Sequence, residues 1–309
     1  MKRDKFGRVL LDDFEVLNYN IMGRKEKVWL CKNDKKYLFK TGSSFYEIYA
    51  EIIAAELAHQ CGFDTAEYEP AFYNGKNGVV TPSFLRYGDI IISGERYLSN
   101  AKNIAFENNI NLKFSENNIE NIMNAFAFQD PTSNLNELML SIMKIFCFDL
   151  VIMESDRNKT NWSVIRSIDG KVRIAPIYDC STMARMNSDI DSLVKNLSSE
   201  NQIFNITDSI KFNLKINSES TENYFIEFER LCEMFPKEVS VIMEGINNID
   251  TDLAIETIEN HINSELSEKK FEIPYCIKFW LRKTIMTRKK EIQSIYAKKI
   301  EKNNLKEGI

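Results

Sequence analysis

Histidine is almost missing from this chain: 309 residues contain only His59 and His261. That scarcity excludes most centres that run on imidazole, because Ser-His-Asp triads, Cys-His pairs and His-rich metal sites each need a histidine beside its partner. His59 falls in a helical pattern and His261 in a polar segment, so both are expected as packing or surface residues. The six cysteines (Cys31, Cys61, Cys147, Cys180, Cys232 and Cys276) include no Cys-x-x-Cys pair and have no histidine at ligand spacing. Neither a disulfide framework nor a zinc site is expected, and a reducing cytoplasm suits that usage. No apolar run reaches the roughly 18 residues of a membrane span. The N-terminal MKRDKFGRVLLDDFEV carries acids where an export signal needs its apolar core, so neither membrane insertion nor general export is expected. A net charge of -5 argues against a surface built as a whole to hold nucleic acid. Whatever chemistry the chain performs must run on carboxylates, lysines and amides.

Hydrophobic residues make up 44% of the chain, enough to bury a sizeable interior. The length suits one bilobal domain or two modest ones. Residues 14–40 alternate and break as strands do, in FEVLNY, VWLCK and YLFK, and are expected as an antiparallel meander. SSFYEIYAEIIAAELAHQCGF then reads as one amphipathic helix: Ser44 followed by Glu47 fits a capping box, and Gly62 stops the pattern. EYEPAFYN and NGVVTPSFL form the next expected hairpin, marked by the Asn-Gly pairs 74–75 and 77–78. From about residue 89 the periodicity turns helical. Residues 99–131, rich in asparagine, are expected as a lid, an insertion or a poorly ordered stretch. NLNELMLSIMKIFCFDLVIM is apolar on nearly every side and suits the centre of a helical lobe. A strand pair around Asp169-Gly170 follows, and 220–304 is mostly helix. The expected class is α+β: a small antiparallel sheet with one helix over 1–88, then a mostly helical lobe over 89–309.

Directly after the most apolar run comes MESDRNKTNW. A surface loop is the simplest account of those residues alone. The order of polar residues along the chain says more. Lys40 ends a strand, Glu51 lies in the following helix, Asp156 and Asn161 sit in the loop after the buried helix, and Asp179 ends the hairpin that follows. Strand lysine, helix glutamate, Asp-x-x-x-x-Asn and post-hairpin aspartate is the parts list for phosphoryl transfer from a nucleotide. Such transfer needs positioning and charge compensation more than covalent work. Lys40 is expected on the α- and β-phosphates, pinned by Glu51. Asp179 and Asn161 offer oxygens to Mg²⁺, and Asp156 accepts or orients the proton of an attacking hydroxyl.

With these residues in view, the first 190 positions resemble HipA-like serine/threonine kinases, and more distantly phosphoinositide kinases. The segments that carry the likeness are GRKEKVWL, YLFK, EIIAAELAHQCGF, SDRNKTNW and IAPIYD. The resemblance implies a two-lobed protein-kinase-like fold that uses ATP and Mg²⁺. It implies Lys40, Glu51 and Asp156 as the catalytic set and Asn161 and Asp179 as metal ligands. Met22, Gly23, Arg24, Lys25, Lys40, Ser83, Phe84, Leu85, Asn158, Asn161 and Asp179 would then surround the nucleotide, with adenine against Ser83–Leu85. It further implies a protein substrate with a Ser or Thr acceptor, autophosphorylation, and a role as toxin or effector with a small antitoxin-like partner. The chain begins almost at the meander, so such a partner could supply the N-terminal subdomain of longer relatives.

The likeness has departures. Several relatives carry an autophosphorylated serine in the nucleotide loop, whereas residues 19–27, YNIMGRKEK, hold no serine or threonine. That loop has one glycine, so the charges of Arg24, Lys25 and Lys27 would replace a glycine cradle. Glu154 and Ser155 stand where conventional kinases have His-Arg, and Cys-Ser follows Asp179 in place of Phe-Gly. Two other expectations compete: a nucleotide-binding pseudokinase serving as an interaction module, and a kinase acting on a lipid or small molecule. The basic residues of the last helix (Arg282, Lys283, Arg288, Lys289, Lys290, Lys298, Lys299 and Lys302) are expected either as a solvated face or as a docking strip.

Overall fold

The computed structural model describes residues 1–19, 25–42, 44–110, 116–195, 213–217, 223–268 and 271–307. Six strands form the first sheet: β1 (Val9–Leu10), β2 (Glu15–Leu17), β3 (Lys27–Lys32), β4 (Lys35–Thr41), β5 (Glu69–Tyr73) and β6 (Lys76–Pro82). Their order is β1-β5-β6-β4-β3-β2, antiparallel except where β1 meets β5. Two tight turns set the registers. Asn33-Asp34 and Asn74-Gly75 all take positive φ, the conformation that lets a two-residue turn follow the sheet's twist. The second Asn-Gly pair is not a turn. It lies inside β6, where a side chain on Gly78 would run into the Lys40 carbonyl and the Phe39 ring.

Helix α1 (Phe45–Gln60) starts where the sequence predicts, with Ser44 Oγ accepting from the Glu47 amide at 3.3 Å. It is not amphipathic in the usual sense. Ala50, Ile53, Leu57 and Ala58 have almost no exposure, and the polar Glu47 and Glu51 are buried as well, because α1 is sandwiched between the sheet and the helical lobe. Its far end is fixed by a reciprocal pair: Gln60 donates to the Asp250 carbonyl at 3.1 Å, and the Asp250 amide donates back at 2.8 Å.

Residue 89 does not begin a helix as the periodicity implies. β7 (Ile90–Ser93) comes first and pairs with β8 (Ser163–Arg166), which pairs with β9 (Val172–Ile174) in a second sheet. A strand of four, IIIS, is too short for periodicity to register. In the Asn-rich stretch, α2 (Gly94–Glu107) and α3 (Ile119–Gln129) take up most of the described residues, the second capped by Asn118, and residues 111–115 lie outside those described. α4 (Leu135–Ile152) is the expected central helix. Asn134 caps it, and Ile142, Met143 and Phe146 through Ile152 have no exposure. After the short α5 (Ile190–Lys195) come α6 (Tyr224–Met234), α7 (Pro236–Ile246), α8 (Thr251–Ser264) and α9 (Tyr275–Glu307). None of the described helices is long and apolar enough to cross a membrane.

Part of the basic face on α9 is committed within the fold, while Lys290 and Lys298 are exposed. Arg288 is buried, Lys289 donates to the carbonyls of Asn247 and Ile249, Arg282 pairs with Asp252, and Lys299 pairs with Glu229 and Glu233.

Candidate active site

β4 delivers Lys40 into the angle between sheet and helical lobe, opposite Lys27 of β3 and Val79 of β6. α1 begins within a few residues of it, so Glu51 faces back toward the same point. The Lys40 ammonium contacts Glu51 Oε1 and Asp179 Oδ1 together, and Lys40 and Glu51 are only 6% and 2% exposed. The other Glu51 oxygen accepts from the Cys180 amide at 3.1 Å. Two carboxylates thus share one cation. Burial works against the charged form of Asp179, and the Lys40 ammonium outweighs it, holding that carboxyl well below the usual aspartate range. For Glu51 burial wins and its carboxyl is pushed up. Asp179 itself takes a left-handed φ of 57°, and its amide donates to the Tyr68 hydroxyl at 3.4 Å.

At the far end of α4, Met153 adopts φ 58° and breaks the helix, turning the chain out. The loop behind it is tied by its own amides. Asp156 O accepts from Asn158 N at 2.7 Å, Asn158 O from Asn161 N at 3.0 Å, and Asn158 Oδ1 from Thr160 N at 2.8 Å. Both Asp156 carboxylate oxygens are fixed as well, Oδ1 by Asn158 Nδ2 at 3.0 Å and Oδ2 by Asn161 Nδ2 at 3.3 Å. Since the Asn161 nitrogen faces Asp156, its Oδ1 is the branch turned away.

Three residues that sequence reasoning passed over assemble this loop. Arg157, 1% exposed, donates to both oxygens of the buried Asp149 and to the carbonyls of Asn161 and Tyr178. It therefore clamps the Asp156 loop to the residue before Asp179. Glu154, fully buried, accepts from the Asp156 amide at 2.7 Å and from the Thr182 amide at 3.2 Å. Burial pushes its carboxyl up to about 7, with Arg157 only partly offsetting that. Asp149, the one polar side chain among the apolar residues 145–152 of α4, was the available signal.

An apolar slot opens from Lys40 and Asp179, walled by Trp29, Leu38, Tyr68, Phe84, Leu85 and Tyr178. Phe84 stacks on Tyr178 at 6.3 Å and 27°. Thr81, Pro82 and Ser83 line its edge, so the expected base-binding segment does border this cleft. Of the nucleotide loop, Met22, Gly23 and Arg24 lie outside the described residues. Lys25 is placed: its ammonium pairs with Glu47 at 3.0 Å and donates to Ser181 Oγ at 3.0 Å.

The residues fit ATP with Mg²⁺. A flat apolar slot suits a base, a buried ammonium stands at its inner end, and Asn161 and Asp179 offer hard oxygens. Among the described residues no three His, Cys, Asp or Glu side chains gather to hold a metal alone. Mg²⁺ does not need such a cage, since it keeps waters and takes one or two protein oxygens with substrate phosphates.

A curled sheet with one glutamate-bearing helix, joined to a helical lobe, defines a kinase-like α+β fold. The crystal structure of the Helicobacter pylori proinflammatory kinase CtkA shares it with a TM-score of 0.72 at 19% identity, over 95% of this chain and 99% of that one. HipA of Shewanella oneidensis MR-1, from a toxin-antitoxin complex with HipB and operator DNA, aligns with a TM-score of 0.50 at 11% identity, over 91% of this chain and 65% of that one. At these identities the likeness is one of fold. Comparison with curated proteins gives no match. The profile of the HipA-like C-terminal domain matches residues 19–253, and the chain belongs to that family.

Proposed function

We propose that this protein is a Mg²⁺-ATP-dependent kinase that phosphorylates serine or threonine hydroxyls of a protein substrate, and its own. The observation that carries the reading is the Lys40 ammonium, held between Glu51 and Asp179 where the apolar slot meets the Asp156 loop. Bound Mg²⁺-ATP supplies an activated γ-phosphoryl group whose negative charge must be neutralised as it moves. Lys40 binds the α- and β-phosphates, and Glu51 keeps its stem from swinging away. Asp179 and Asn161 hold the metal, while Asn158 steadies Asp156 from the nucleotide side. Asp156 orients the acceptor hydroxyl and takes its proton. The backbone of Ser83–Leu85 recognises the base edge, and Phe84 with Tyr178 closes the slot. The complete set of Lys, Glu, Asp, Asn and Asp favours catalysis over a scaffold role, since a scaffold needs no metal ligands. The HipA–HipB pairing of the Shewanella complex supports a small antitoxin-like partner here.

Labelled ATP tests this directly. Wild-type protein incubated alone and with bacterial protein acceptors should yield labelled serine or threonine. Asp156→Ala protein should lose transfer by about 10²- to 10⁴-fold, the usual contribution of a general base, while still binding ATP. Normal labelling by Asp156→Ala or Asp179→Ala overturns the mechanism. Label found on a lipid or small molecule instead reassigns the acceptor.

A further inference from the structure

Asn117, two residues before α3, reaches both ends of the Asp156–Asn161 stretch. Its Nδ2 donates to the Arg157 carbonyl at 2.8 Å, and its Oδ1 accepts from Trp162 Nε1 at 3.0 Å. Arg157 directly follows Asp156, and Trp162 directly follows Asn161. One side-chain amide therefore spans the loop. A second asparagine grips the other side of Asp156. Asn213 Nδ2 donates to the Ser155 carbonyl at 2.9 Å, and the Asn213 carbonyl accepts from Asn117 Nδ2 at 2.9 Å.

The chemistry of the partners fixes how the Asn117 amide is turned. An indole N–H only donates and a carbonyl only accepts, so Oδ1 faces Trp162 and both Nδ2 hydrogens go to carbonyls. Neither end of the span can drift. Trp162 is 1% exposed, and its ring lies so close to Gly94 that a side chain there would collide with the indole. The Asn117 carbonyl accepts from the Lys215 amide at 3.1 Å, while the Ile119 and Glu120 amides donate to the Lys215 and Ile216 carbonyls at 2.9 and 3.0 Å. The start of α3 and residues 213–216 are thus laced together beside the loop.

These contacts do what the loop's other bonds do not. The internal amides act on Asp156 itself, and the Arg157 guanidinium acts on the Asn161 and Tyr178 carbonyls. The carbonyls of the residues on either side of Asp156 are held by Asn213 and Asn117. Rotation of either peptide group would swing the Asp156 side chain. Neither asparagine lines the apolar slot.

We propose that Asn117 and Asn213 are positioning residues for phosphoryl transfer, a pair of amides that sets the direction of the Asp156 carboxylate and its spacing from Asn161. This rests on the reading of Asp156 as the group that takes the acceptor's proton. The amides act on the transfer step and not on the binding of the nucleotide.

Transfer of label from saturating Mg²⁺-ATP to casein and to the protein itself tests the assignment in the full chain. Wild type, Asn117→Ala and Asn213→Ala are compared, together with Asn117→Ala in an Asp156→Ala background, ATP affinity by calorimetry without Mg²⁺, and urea midpoints. Each single alanine variant is expected to transfer label about 10- to 100-fold more slowly, the effect of a small misplacement of a reacting group, with ATP affinity unchanged. Asn117→Ala is expected to add little to the loss caused by Asp156→Ala, because residues that act through one another are not additive. A lowered urea midpoint with an unchanged rate per folded molecule overturns the proposal, as does a full additional loss in the Asp156→Ala background. Unchanged transfer by both alanine variants overturns the positioning role and leaves the kinase reading intact, whereas a wild type that neither binds ATP nor transfers label overturns both. Should Asn117→Ala not fold, Asn213→Ala, which removes a single hydrogen bond to a single carbonyl, gives the same comparison.

Discussion

Arg157 grips Asp149 through two parallel hydrogen bonds, Nε to Oδ2 and Nη2 to Oδ1, each 2.9 Å long, with both side chains sealed from water. The remaining guanidinium nitrogen reaches the Asn161 and Tyr178 carbonyls at 2.7 and 2.6 Å. One planar fork thus joins the end of α4, the Asp156 loop and the strand exit before Asp179. Lysine cannot replace it, because an ammonium lacks the planar fork that serves a carboxylate bidentately and two carbonyls at once.

Removing either partner leaves a buried charge uncompensated. Arg157→Met is expected to lower stability by about 3–5 kcal/mol, read as the shift of the urea midpoint. The double substitution Asp149→Leu, Arg157→Met should recover much of that loss, because no orphan charge remains. A single variant that unfolds at the wild-type midpoint removes the clamp from the account.

Glu154 makes a prediction about pH. Its folded carboxyl titrates at about 7 against 4.5 for a free glutamate. The folded state therefore holds a proton that the unfolded chain releases between those values. Stability contributed by the protonated form is complete below pH 4.5 and lost as pH rises through 7. Glu154→Gln cannot lose that proton, so stability measured from pH 5 to 8 should fall more steeply in wild type, by up to about 3 kcal/mol for a full shift of this size. Parallel curves would show that Glu154 stays charged throughout.

Gly78 faces the backbone of Lys40 across the β4–β6 ladder. A methyl group there meets a carbonyl and an aromatic ring, neither of which can yield without displacing β4. Gly78→Ala is expected to cost about 1–3 kcal/mol and to weaken ATP binding, because β4 carries Lys40. Wild-type stability and ATP affinity in this variant would show that the sheet absorbs the methyl group.

What could be read from the residues alone follows from where the signals are local. Ser44 with Glu47, Asn134 before an apolar run, and Asn74-Gly75 each act within four positions, and the structure has the helix starts and turn they imply. The order of Lys40, Glu51 and Asp179 was legible because kinase-like sites place fixed residue types on fixed elements. β7 was hidden, since its strand character comes from pairing with β8, more than seventy residues away. The burial of α1 on nearly every side was likewise set by α8, which no local pattern announces. The clamp by Arg157 was missed for a related reason: its partners Asp149 and Tyr178 lie in different parts of the chain, and an arginine beside Asp156 reads as part of a charged loop until its burial is known.

The shared cation of the site yields the sharpest test. In the wild type, Lys40 holds the Asp179 carboxyl well below its ordinary range, so the stability from that contact is present above about pH 4 and lost as pH falls through the depressed value. Lys40→Met reverses the sign. Glu51 and the largely buried Asp179 would then be neighbouring carboxylates without the ammonium between them, with only the more distant Lys27 and Lys25 acting on Asp179, and each would raise the other's pKa. The variant should be about 3–5 kcal/mol less stable at neutral pH, and it should regain stability as pH falls from 7.5 toward 5 and the pair takes up a proton. Denaturant midpoints collected across that range for both proteins give the comparison. A variant curve that rises toward pH 5 more steeply than the wild type's, whose Asp179 stays ionised in folded and unfolded states alike above about pH 4, places one ammonium between two acids, whereas a constant offset would mean that Lys40 contributes packing alone and that the ion cluster is not the centre of this site.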